Sequence, residues 1–108
     1  ETVIIENQIS PIANRMKTIQ GMIAQFFIMS DIQDVHFVSA ANKLKQYIDG
    51  KTTYKERKEL GISTTLKIIH ENEDTKNWES HFLMHSKKDD LADSFLQGLS
   101  FIDKHVEL

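Results

Sequence analysis

The sequence has no cysteine, one proline and only four glycines. Without cysteine there is no disulfide scaffold, no thiolate zinc site and no Cys nucleophile, which suits a reducing, intracellular setting. Long apolar runs are missing as well. The longest, such as Phe26-Phe27-Ile28-Met29, fall far short of the roughly 20 residues a helix needs to span a bilayer. No signal peptide is visible, so no membrane partner is expected. Neither sign of charge dominates: 13 Lys+Arg face 16 Asp+Glu for a net charge of -3. That balance argues against coating nucleic acid by bulk charge, and leaves room for a local basic patch. What is present, 40% hydrophobic and 27% charged residues over 108 positions, fits a single globular domain over 1–108 and excludes wholesale disorder.

The chain starts at Glu1, and the apolar run Val3-Ile4-Ile5 follows almost at once. A buried strand so near the start leads us to expect a segment of something longer. Thr2 to Ile5 reads as a short strand, closed by the polar trio Glu6-Asn7-Gln8. Ser10-Pro11 supplies an N-cap and a first-position proline for a helix. Ile12, Met16, Ile19, Ile23 and Phe26 then form one helical stripe, most simply core, with a helix-to-helix dimer contact as the alternative. Asp31 and Asp34 bracket a turn, and His36-Phe37-Val38 reads as a second strand.

Lys43 to Lys51 is expected as a loop, and Thr53-Tyr54-Lys55-Glu56 has the form of a capping box opening a helix towards Ile69 that Gly61 weakens. Glu71-Asn72-Glu73-Asp74 is an acidic turn, with Trp78, Phe82 and Leu83 anchoring a short piece after it. Ser86-Lys87-Lys88-Asp89 repeats the capping-box pattern before a last helix whose apolar face is Leu91, Phe95, Leu99 and Ile102. Strand, helix and strand in that order imply a parallel pair. Two parallel strands alone make a poor sheet, so further strands are expected outside this chain.

Three carboxylates stand out. Glu6 lies at the carboxyl end of the first strand, the edge of a parallel sheet where ligands bind. Asp90 and Asp93 are three apart in the last helix, on the face opposite Leu91, Phe95, Leu99 and Ile102. Clustered carboxylates repel unless a cation joins them, and hard oxygen donors favour Mg²⁺ or Mn²⁺. The same residues also have an ordinary reading, since first-turn Asp89 and Asp90 suit the helix dipole without a metal and Glu6 can simply end a strand. Lys43, Lys45, Lys51, Lys55, Arg57 and Lys58 form a basic stretch, with Tyr47 and Tyr54 available to stack. It is either a phosphate-binding surface or a solvated face. His81 and His85 have metal-ligand spacing but no third ligand, and read as surface or packing histidines.

These pieces together resemble the RuvC-like Holliday-junction resolvases of poxviruses and other large DNA viruses. The likeness is carried by Val3-Ile4-Ile5-Glu6-Asn7-Gln8, by Arg15-Met16-Lys17-Thr18-Ile19-Gln20-Gly21, by Tyr54-Lys55-Glu56-Arg57-Lys58 and by Lys87-Lys88-Asp89-Asp90-Leu91-Ala92-Asp93-Ser94-Phe95. It implies an α/β, ribonuclease-H-like fold with its N-terminal strands outside this chain. It also implies a homodimer formed through the 11–30 helix and Mg²⁺-dependent, symmetric cutting of four-way DNA junctions in recombination, repair and viral genome resolution, at the viral replication site in the host cell. By the same resemblance Glu6, Asp90 and Asp93 are metal ligands, with Asp89 the alternative if the register slips by one. Lys58, with Lys55 as runner-up, matches the catalytic lysine, and Lys43, Lys45, Lys55, Arg57 and Lys58 would meet DNA. The family's first ligand, an aspartate on an opening strand, has no counterpart here, so this piece alone is expected to cut weakly or not at all. The alternative is a non-catalytic nucleic-acid-binding or dimerisation module that keeps the fold.

Overall fold

The β-branched opening of the chain forms the expected strand, β1, over Thr2–Glu6. The computed structural model describes residues 1–9, 14–44, 47 and 50–105, and within them every side chain but those of Asn42, Lys43 and His105. The expected helix start at Ser10-Pro11, Ile12 and Lys45 lie outside the described residues. Two compact units divide the chain, Glu1–Asn42 and Lys43–Leu108.

In the first unit, β1 is followed by helix α1 (Asn14–Met29) and strand β2 (Asp34–Val38). The strands pair in parallel, Thr2 opposite Asp34 and Glu6 opposite Val38, as the helical crossover requires. The start of the pair is pinned by side chains: the Thr2 hydroxyl donates to Asp34 Oδ2 at 2.6 Å, and His36 Nε2 lies 2.6 Å from Asp34 Oδ1. The Thr2 hydrogen bond, and after it the His36 bond, hold the Asp34 carboxyl below the usual carboxylate range. α1 ends in a Schellman motif, with Ile32 N–H donating to Phe27 O and Asp31 N–H to Ile28 O. Asp31 takes the left-handed conformation this needs, φ 68°, which aspartate tolerates better than most side chains.

The α1 stripe is not the core that its spacing suggests. Gln20 and Ala24 are the buried residues of this helix, whereas Met16, Ile19, Ile23 and Phe26 are exposed, Phe26 by 64%. Periodicity fixes which side chains share a face, and says nothing about what covers it.

In the second unit, Thr53 caps helix α2 (Tyr54–Glu71) with the full capping box: its side chain accepts from Glu56 N–H while the Glu56 carboxylate accepts from Thr53 N–H. A 3-10 turn at Lys76–Trp78 leads into α3 (Glu79–Met84) and then α4 (Lys88–His105). Ile69, Phe82 and Ala92 form the core, with Ile62, Leu66, Leu91 and Phe95 packed against it and Leu96 fully buried. Gly61 does not break α2. It is buried at the α2–α4 contact, where a Cβ would meet Leu96 Cδ1 at 3.9 Å.

Three further expectations need correcting. Of the proposed anchors only Phe82 is buried; Trp78 and Leu83 are 62% and 48% exposed. The face of α4 that is most deeply buried is Ala92, Leu96 and Gln97, while Ile102 is half exposed. Leu96 of α4 packs beside Gly61 of α2, and Ala92 clusters with Ile69 and Phe82. Finally, the Ser86 capping pattern precedes a helix in which Lys87 N–H donates to His85 Nδ1 and the Asp89 carboxylate reaches Lys58. Among the described residues no helix is long and apolar enough to cross a membrane.

Candidate functional site

Glu6 closes β1, half-buried, and the chain leaves the strand immediately after it. Asn7 N–H continues the ladder to Val38 O at 2.7 Å. The buried amide of Gln20 on α1 then clamps the exit: Oε1 accepts from Gln8 N–H at 2.7 Å and Nε2 donates to Asn7 Oδ1 at 3.2 Å. Lys17 Nζ donates to the same Asn7 oxygen at 2.9 Å. The strand-end glutamate therefore sits on a backbone fixed from both sides. Sequence reasoning missed Gln20, whose only signal is a polar residue flanking the bulky stripe, four after Met16 and four before Ala24.

The second unit brings the sequence-predicted lysine to the acidic start of α4. Lys58 Nζ lies 3.2 Å from Asp89 Oδ2 and 5.5 Å from the centroid of the Tyr54 ring, one turn back on α2. The hydrogen bond and charge of Asp89, and then Tyr54, raise the Lys58 pKa above the ordinary lysine value. In return Lys58, first by its hydrogen bond, holds the Asp89 carboxyl below the usual carboxylate range. The Asp90 side chain is 67% exposed, with Lys87 Nζ at 4.0 Å. Asp93, one turn further on, is half-buried. Asp90 and Asp93 thus belong to the second unit and Glu6 to the first. The donors are all carboxylate oxygens, the chemistry a hard divalent cation takes. Among the described residues no three His, Cys, Asp or Glu side chains stand together as a metal cluster.

The basic stretch is resolved in part. Lys51 and Lys55 are exposed, and Arg57 Nη1 donates to Thr52 O at 3.0 Å beside the α2 start. Lys45 and the Lys43 side chain lie outside the described residues. Tyr54 is 71% exposed, and its ring lies near the Lys58 ammonium. His81 packs edge-on against Trp78 at 5.9 Å, and His85 accepts a backbone hydrogen bond, so each has a structural partner.

Residues 1–105 match the family described as Poxvirus A22 protein. The chain belongs to this family. It is also similar to the Uncharacterized protein L451 of Acanthamoeba polyphaga mimivirus, with 31% identity over 123 aligned positions. That match covers 95% of this chain and 29% of the mimivirus protein, so the chain spans under a third of the length of that curated relative. No solved structure matches.

Proposed function

We propose that the protein is a structure-specific endonuclease that cuts four-way DNA junctions by Mg²⁺-dependent phosphodiester hydrolysis. The carrying observation is that, in a chain of the resolvase family, Lys58 is held against the acidic first turn of α4. A lysine ammonium there can meet the charge that develops on a phosphate during hydrolysis. Glu6, Asp90 and Asp93 are the proposed ligands of Mg²⁺, for which Mn²⁺ can substitute. When bound, such ions activate a water and stabilise the leaving oxygen. Lys43, Lys45, Lys55 and Arg57 are the proposed backbone-phosphate contacts. The parallel strand-helix-strand unit with a glutamate at the strand end supports a ribonuclease-H-like fold. The apolar residues exposed along α1 support a homodimer through the 11–30 helix, and Phe26→Asp should then leave a monomer in sedimentation. Action on branched DNA at a viral replication site follows from the same reading.

The test is cleavage of a synthetic four-way junction against a linear duplex, with Mg²⁺, using protein expressed from the complete coding sequence. Paired symmetric nicks on the junction alone, lost in Asp93→Asn with junction binding kept, are the expected result. Binding without nicks in either protein would replace this reading with a non-catalytic DNA-binding module.

A further inference from the structure

Two adjacent aspartates open α4, and spacing alone cannot say which of them belongs with Asp93. We propose that Asp89 is a positioning residue for Lys58, holding its ammonium at the α2–α4 seam, and that the metal-facing work falls to Asp90 and Asp93. The inference rests on the resolvase reading for what the lysine does, and deepens it by dividing the roles of Asp89 and Asp90.

Successive residues of a helix point about 100° apart, so the two carboxylates leave the helix in different directions and meet different surroundings. Asp89 turns towards α2, is 22% exposed, and has Oδ2 at 3.2 Å from Lys58 Nζ. Asp90 turns outward and is 67% exposed. A lysine is a point charge on a flexible four-carbon stem, and its position is set only by what surrounds its tip. Here the tip is bounded twice, by the Tyr54 ring from its own helix and by Asp89 from α4. A cation on Asp89 would compete electrostatically with the ammonium that already occupies Oδ2, whereas the exposed Asp90 carboxylate carries no such close pair. The pair places the Lys58 ammonium beside the residue that precedes Asp90.

The experiment compares Asp89→Asn, Asp89→Glu and Asp90→Asn with the unsubstituted protein from the complete coding sequence. It reads the Lys58 ammonium resonance by NMR, assigned by its loss in Lys58→Arg, together with Mn²⁺ binding by EPR and junction cleavage. In Asp89→Asn the Lys58 resonance should disappear into rapid exchange. With it kcat should fall by up to about a hundredfold, the scale of a displaced catalytic group, while KM changes little. Mn²⁺ affinity should stay within about threefold, and Asp89→Glu should recover most of kcat. Asp90→Asn should weaken Mn²⁺ by about tenfold or more with the Lys58 resonance intact. Loss of Mn²⁺ binding in Asp89→Asn would make Asp89 a ligand and overturn the proposal, as would an unchanged Lys58 resonance there. If the unsubstituted protein neither binds Mn²⁺ nor cuts, the resolvase reading fails, and the resonance still decides the pair.

Discussion

In the first unit α1 turns its amide Gln20 and the small Ala24 inward, and leaves Met22, Phe26 and Met29 67%, 64% and 75% exposed. In the second, α2 and α4 bury Ile69, Ala92 and Leu96 together with the polar Thr65 and Gln97. One helix is organised around holding a strand end in place, the others around excluding water. α1 leaves its largest apolar groups outward, whereas the α2–α4 pair carries its own core. The candidate residues follow the same division. Glu6 rests on a hydrogen-bonded clamp, and the Asp89–Lys58 pair rests on two packed helices.

The contrast can be broken most sharply at the proposed ligands, one from each unit. Glu6→Gln and Asp93→Asn should each lower junction cleavage by about a thousandfold or more, with melting temperature nearly unchanged. Next in size is the core. Leu96→Ala should cost about 3 kcal/mol in a denaturant titration, and Met22→Ala on exposed α1 should stay within about 0.5 kcal/mol for a monomer. Gln20→Leu removes both bonds of the clamp, and should cost about 2 kcal/mol because Gln8 N–H loses its acceptor. It should also reduce cleavage through Glu6.

The Asp89–Lys58 pair predicts a pH window. The lowered Asp89 value gives a contribution present above the ordinary carboxylate pKa and lost as pH falls through the folded value. The raised Lys58 value gives one present below the ordinary lysine pKa and lost as pH rises through the folded value. The melting difference between wild type and Asp89→Asn should therefore be small and flat between about pH 4 and 10, and vanish outside. Smallest of all, Gly61→Ala should stabilise α2 by up to about 1 kcal/mol, because a Cβ would meet Leu96 at an ordinary contact distance of 3.9 Å.

Local signals were legible in the sequence and long-range ones were not. The Thr53 capping box and the parallel pairing of β1 with β2 follow from chemistry within a few residues or from the connection between strands. The stripe from Met16 to Phe26 was correctly read as one face and wrongly as core, because spacing does not reveal what lies opposite. On α4, apolar spacing selects Leu91, Phe95, Leu99 and Ile102; Leu91 and Phe95 do pack against the core, while the small Ala92 is buried more deeply and Ile102 is half exposed. Lys58 and the aspartates were each visible as motifs. Their pairing depends on how α2 lies on α4, which no local pattern encodes, and so Asp89 was left as an alternative ligand.

The proposal that most needs testing is that Glu6, Asp90 and Asp93 are ligands of a divalent metal. The most direct measurement is a Mn²⁺ titration followed by EPR on wild type, Glu6→Gln and Asp93→Asn, each expressed from the complete coding sequence. The account predicts that either substitution weakens binding by about tenfold or more. Full affinity retained after loss of Glu6, or after loss of Asp93, would contradict it.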